Sequence, residues 1–241
     1  MPAAPLEVDN LSAGYGPTRV LEGISFSVSA GAKLAVLGRN GMGKTTLLAT
    51  LAGQTRRYDG RIRIGEADVT ALSSASRALK GLGFVPQARC VFPSLTVEEN
   101  LFVGLKGRAK TALNEAYEMF PRLYERRRNL GSQLSGGEQQ MLSTARSILG
   151  RPSILLLDEP LEGLAPVICE ELMKAFAQLA RTGDMTILLV EQRIRSALDF
   201  ADRVIILERG RLAWSGTPKA LVKEPATVEQ LLGIGGLAPS P

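Results

Sequence analysis

Apolar and polar positions alternate with a period of two near the start of the chain. Leu6-Glu7-Val8, Ile24-Ser25-Phe26-Ser27-Val28 and Lys33-Leu34-Ala35-Val36 each read as half-exposed strands, and Arg61-Ile62-Arg63-Ile64 after Asp59-Gly60 repeats the pattern. Over residues 96–150 the period changes. Leu113, Tyr117, Phe120, Leu123 and Tyr124 fall at helical spacing among many Glu, Ala and Arg residues, which predicts a helical insertion. From 151 the pattern changes again. Ile154-Leu155-Leu156-Leu157 is an unbroken apolar run, as expected of a strand buried on both faces. A helix over about 166–181, a strand over 186–190, a helix over 193–201 and a strand over 203–208 follow. Strands alternating with helices imply a parallel sheet in an α/β layer. The tail after Gly216, richer in Pro and Gly, reads as a short helix plus a loose end.

Composition changes this picture little. The 241 residues suffice for one large domain or two small ones, and 45% hydrophobic with 22% charged residues is ordinary for a globular protein. A formal charge of +5 is mild, and the basic residues are scattered apart from Arg126-Arg127-Arg128. That run, with Arg122, reads as a solvated helix face rather than a nucleic-acid site. The two cysteines, Cys90 and Cys169, stand far apart in no metal spacing, which fits a reducing compartment. The first residues show no basic and apolar secretory pattern, and no apolar run approaches the roughly 18 residues of a membrane span. The chain contains no histidine.

Candidate chemistry concentrates in three motifs. Gly38-Arg39-Asn40-Gly41-Met42-Gly43-Lys44-Thr45 follows the apolar run Leu34–Leu37 and precedes the helix-compatible Thr46–Leu51. Glycines allow backbone N–H groups to close around an anion, Lys44 offers a charge to the β- and γ-phosphates, and Thr45 offers a hydroxyl to Mg²⁺. The helix after the loop aims its N-terminus at the phosphates. Asp158 and Glu159 close the buried run at a strand's C-terminal end, where ligands of open α/β sheets sit. Asp158 suits a Mg²⁺ shell, and Glu159 can orient and deprotonate an attacking water. Leu134-Ser135-Gly136-Gly137-Glu138-Gln139-Gln140 precedes an apolar-periodic helix. It is either an anion-binding helix start or a plain N-cap, and the residues alone leave both open.

Leu134–Gln140 resembles the signature of the ATP-binding cassette family, and the three motifs stand in that family's order and approximate spacing, from Leu6 to about Gly216. The resemblance implies an α/β fold with a P-loop NTPase (RecA-like) core, a mostly parallel sheet, an N-terminal antiparallel β subdomain and a helical subdomain. It implies one ATPase domain over 1–241: about 1–86 for the antiparallel β and first part of the core, 87–150 helical, 151–216 the rest of the core, and 217–241 a tail. Tyr15, in Gly14-Tyr15-Gly16, resembles the family's adenine-stacking aromatic. Gln87, in Phe84-Val85-Pro86-Gln87, resembles the glutamine that touches Mg²⁺ and the attacking water. Residues Gly38 to Thr46 would hold ATP, while Ser135, Gly136 and Gly137 would complete the site of an opposing subunit.

Phe92–Leu101, Phe120–Leu123, Gly163–Pro166 and Leu189–Gln192 resemble the ATP-binding subunits of branched-chain amino acid importers. Pro86-Gln87 and Glu162-Gly163 also recur in urea and short-amide importers. The expected role is therefore an ATPase powering import of branched-chain or other hydrophobic amino acids, with urea or short amides as the alternative. Implied partners are two membrane-spanning permease subunits, a second and different ATP-binding subunit (a homodimer in isolation), and indirectly an extracytoplasmic solute-binding protein. The implied place is the cytoplasmic face of the plasma membrane. An exporter ATPase, or a soluble relative acting on nucleic acid or ribosomes, is the competing class. The modest insertion, single cassette and lack of cysteine pairs argue against the latter, and no nucleic-acid partner is expected. Two positions depart from the general family pattern: Ala165 replaces an aspartate, and Gln192 replaces a histidine. Gln192 can donate an amide hydrogen bond to a γ-phosphate but cannot carry a proton near neutral pH.

Overall fold

A computed structural model describes residues 2–181 and 183–233. Its strands are β1 (Leu6–Tyr15), β2 (Thr18–Val28), β3 (Lys33–Leu37), β4 (Arg56–Ile64), β5 (Ala67–Asp68), β6 (Leu82–Val85), β7 (Ile154–Asp158), β8 (Thr186–Val190), β9 (Arg203–Glu208) and β10 (Arg211–Gly216). Its helices are α1 (Lys44–Leu51), α2 (Ser74–Leu79), α3 (Val97–Gly104), α4 (Leu113–Met119), α5 (Pro121–Glu125), α6 (Gly136–Leu149), α7 (Pro166–Arg181), α8 (Ile194–Phe200), α9 (Pro218–Val222) and α10 (Pro225–Leu232).

Two sheets form. The first is antiparallel, in the order β2-β1-β4-β5. Its leading strands run longer than the sequence alternation suggests. Asn10 adopts a left-handed backbone (φ 47°), and the β1–β2 register shifts between Val8 and Leu11. This bulge interrupts the period of two that marks a strand in sequence. The second sheet runs β10-β9-β3-β8-β7-β6, parallel throughout except for β10 against β9.

The unbroken apolar strands do bury both faces. Leu155, Leu157, Ile187 and Leu189 pack into one core with the helices of the insertion. Ile154, Leu156, Leu188 and Val190 pack into another with α1 and the antiparallel sheet. Each fully buried leucine or isoleucine contributes about 1.5–3 kcal/mol. Alternate residues of one strand therefore hold two layers together.

The helical insertion is broken into α3, α4, α5 and α6. Thr96 starts α3 with a reciprocal capping box to Glu99, and Pro121 starts α5 where its missing N–H costs nothing. The basic run lies at and beyond the end of α5 rather than along a helix face. There Arg126 pairs with Glu138 at 3.5 Å, and the Arg127 guanidinium lies 4.1 Å from the Tyr124 ring centroid. Past Gly216 two short helices, α9 and α10, stand where one is expected. The loose end from 234 lies outside the described residues. No described helix is long and apolar enough to cross a membrane.

Candidate functional site

The parallel sheet sets the site. β3 lies beside β8, which lies beside β7, so the three strand ends carry their following loops to one edge. After β3 the chain turns through Gly38 (φ 144°) and Gly43 (φ 98°) into α1. A Cβ at Gly38 would stand 2.5 Å from the Leu207 carbonyl oxygen, so only glycine fits this crossing. Gly43 is the N-cap of α1 and has no side chain to cover the first-turn N–H groups, which stay available to an anion.

Lys44 opens α1 and folds back over the loop. Its ammonium donates to the carbonyl oxygens of Gly38 (2.8 Å) and Arg39 (3.1 Å). Burial lowers the Lys44 pKa, while the carboxylates of Glu159 and Asp158 oppose that shift. Thr45, the next residue, donates its hydroxyl to Asp158 Oδ1 at 3.2 Å. Asp158 is 1% exposed at the end of β7. Burial pushes its carboxyl up to about 6, with Glu159 and Glu162 adding to the rise and Thr45 and Lys44 resisting it.

Glu159 follows with a left-handed backbone (φ 47°), a conformation uncommon outside glycine and asparagine. Its N–H donates to the Val190 carbonyl (2.9 Å), which stitches the end of β7 to the end of β8. Two amides converge on Glu159 Oε2: Gln192 Nε2 donates at 2.6 Å and Gln87 Nε2 at 3.4 Å. Gln87 Nε2 also donates to Glu162 Oε2. A cavity of about 370 Å³ opens above these groups, lined by the phosphate loop and α1 (Asn40, Gly41, Gly43, Lys44, Thr45, Thr46), Gln87, Glu159, Gln192, Glu162 and Val20.

The structure thus brings most of the expected residues together. Asp158 lies beneath the cavity and reaches it through Thr45. Others stand elsewhere. Arg39 turns away: its guanidinium lies against Gly233 at the C-terminal end of α10, where a Cβ would sit 3.3 Å from Cζ. Met42 faces the β9–β10 turn, its carbonyl accepting from Gly210 N at 3.2 Å. Tyr15 is half exposed at the end of β1, outside the cavity lining. Ser135 caps α6, its hydroxyl accepting from Glu138 N (3.3 Å) while Glu138 accepts from Ser135 N (2.8 Å). Ser135, Gly136 and Gly137 do not line this chain's own cavity. Glu162 and Val20 complete the lining without having been singled out as site residues. Glu162 follows the acidic pair closely enough for its carboxyl to have been suspected, whereas Val20 carries no sequence signal.

The donor set fits a hard divalent cation. The Thr45 hydroxyl, the Asp158 carboxylate and the Gln87 amide oxygen are all oxygen donors, the kind Mg²⁺ takes. Burial strips the Asp158 carboxylate of water and disfavours its charge, which a bound cation would stabilise.

The ABC transporter family profile matches residues 21–162. The high-affinity branched-chain amino acid transport ATP-binding protein BraG of Pseudomonas aeruginosa is 40% identical over 95% of this chain and 99% of its own length. The lipopolysaccharide export system ATP-binding protein LptB of Haemophilus influenzae is 32% identical over 95% of this chain and 97% of its own. In fold, a nucleotide-free ATP-binding cassette from an ABC transporter matches with a TM-score of 0.81 over 96% of this chain and 99% of that one, at 23% identity.

Proposed function

This chain belongs to the ABC transporter family as an ATP-hydrolysing, ATP-binding subunit, and on that premise we propose that it powers import of branched-chain or other hydrophobic amino acids. Support for the solute class comes from the similarity to BraG across nearly the whole of both chains.

The chemistry follows from the site. Free N–H groups of the loop and the first turn of α1 receive the triphosphate, and Lys44 exchanges its carbonyl partners for phosphate oxygens. Thr45, Asp158 and Gln87 would hold Mg²⁺, which when bound would neutralise phosphate charge. Glu159 takes a proton from water as the water oxygen attacks the γ-phosphorus and ADP leaves. The hydrogen bond from Gln192 aims this carboxylate, and a primary amide keeps another N–H for the γ-phosphate. Tyr15 stacks on adenine. Ser135, Gly136 and Gly137 close the nucleotide held by an opposing, different ATP-binding subunit. Two permease subunits at the cytoplasmic face of the membrane are coupled to this hydrolysis, and an extracytoplasmic binding protein delivers the solute.

The test is uptake. Cells lacking this chain should lose high-affinity uptake of labelled leucine, and a tagged chain should co-purify with membrane-spanning subunits. Lost uptake of urea or acetamide with leucine uptake intact would move the assignment to the short-amide class. A lipid-export defect with normal uptake of all these solutes would move it to the exporter class that LptB represents.

A further inference from the structure

Glu191 lies between the last residue of β8 and Gln192, and it is 3% exposed. A carboxyl this buried on a polar edge needs a reason. Its Oε1 accepts the backbone N–H of Gln192 at 2.9 Å and of Arg193 at 3.3 Å. These are free N–H groups ahead of α8, whose N-cap, Arg193, provides no side-chain cap. Glu191 Oε2 is buried without a well-formed hydrogen bond among the described residues, although the Leu161 backbone N–H also favours the charged carboxyl.

The two bonds to Oε1 fix the backbone that carries Gln192. The same short segment sends the Gln192 amide onto Glu159 Oε2 at 2.6 Å, and the Val190 carbonyl just before it holds the Glu159 N–H. Residues 190–193 therefore form a clamp on Glu159 from backbone, side chain and cap together.

We propose that Glu191 is a positioning residue for hydrolysis: by accepting the Gln192 and Arg193 N–H groups it holds the Gln192 amide on the Glu159 carboxylate. A chain without histidine has no imidazole to fix this corner, and a glutamine side chain has more rotatable bonds to restrain. The inference rests on the reading that Glu159 and Gln192 serve hydrolysis.

Acceptor geometry rather than charge is what Glu191 supplies. Burial raises its carboxyl above the usual range, the N–H groups of Arg193, Gln192 and Leu161 oppose this, and Glu159 adds to it. An amide oxygen at the place of Oε1 accepts the same two N–H groups and should serve in its stead. The test measures ATP turnover by the purified full chain with Mg²⁺, alongside ATP affinity and melting temperature. Glu159→Gln and Gln192→Ala come first, and if either turned over ATP normally the underlying reading would fail and this inference with it. With those controls slow, Glu191→Ala and the volume-conserving Glu191→Leu should each lower kcat about tenfold at little change in ATP affinity, while Glu191→Gln should stay near wild type. In a Gln192→Ala background, Glu191→Leu should cost nothing more, because one change already removes what the other positions. Normal kcat in Glu191→Leu would overturn the proposal. So would equal loss in Glu191→Gln and Glu191→Leu, or full additivity with Gln192→Ala.

Discussion

Glu159 is held in a left-handed backbone between two amide donors, so its carboxylate cannot be exchanged without loss. Glu159→Gln should keep ATP binding and lower turnover by at least ~10²-fold, as removal of a general base does; single-turnover assays beside an ATP-binding titration would check this. Asp158 offers a separate test through pH. Its carboxyl rises from an ordinary 3.8 to about 6 in the folded, ligand-free chain. The folded state then binds the Asp158 proton more tightly than the unfolded state. The stability this gives is present below about pH 4 and is lost as pH rises toward 6. Asp158→Asn should therefore stabilise the ligand-free chain above pH 6, by something on the order of 2 kcal/mol, with the gain shrinking toward pH 4. Melting curves across that range would show a pH-independent difference if the argument is wrong. At this scale the phosphate loop and acidic pair were legible because backbone chemistry and spacing impose them. Arg39 was not: sequence places it in the loop, but its direction depends on α10, far along the chain.

Helix starts carry the clearest local logic. Ser135 and Glu138 cap each other at α6, and Ser135→Ala removes the hydroxyl half of that box. The cost should be about 1 kcal/mol of stability, read as a modest fall in melting temperature. If Ser135 also serves an opposing subunit's nucleotide, steady-state turnover should fall far more than one lost cap explains, while ATP binding to the isolated chain persists. A turnover loss no larger than the stability loss would leave Ser135 a cap alone. Elements with a clean period were readable: β7 by its unbroken leucines, and α7 by its length and helical spacing. β6 was not, because Gly83 interrupts a strand of only 4 residues; a Cβ there would meet Pro152 Cγ at 2.9 Å. α2 was missed because its 6 residues are too few to show a period, although Ser73 caps it.

On the scale of the molecule, one sheet separates two apolar layers, and β7 belongs to both. Leu156→Ala should cost about 2–5 kcal/mol and lower the denaturant midpoint for the whole chain in one transition, not for one layer first; probes placed on either side of the sheet would detect any split. Such long-range sharing is visible in sequence only as strands without alternation, which says that both faces are covered but not by what. The phosphate loop sits against this sheet at one end of the chain's course, and α10 meets it from the other. Arg39 places its exposed guanidinium beside Gly233, at the negative end of the α10 dipole, where a positive charge is favourable. The end of α10 is thus a neighbour of the nucleotide site, although far from it in sequence. A change that draws α10 aside would leave this guanidinium without its helix end, one residue from Asn40 of the cavity wall.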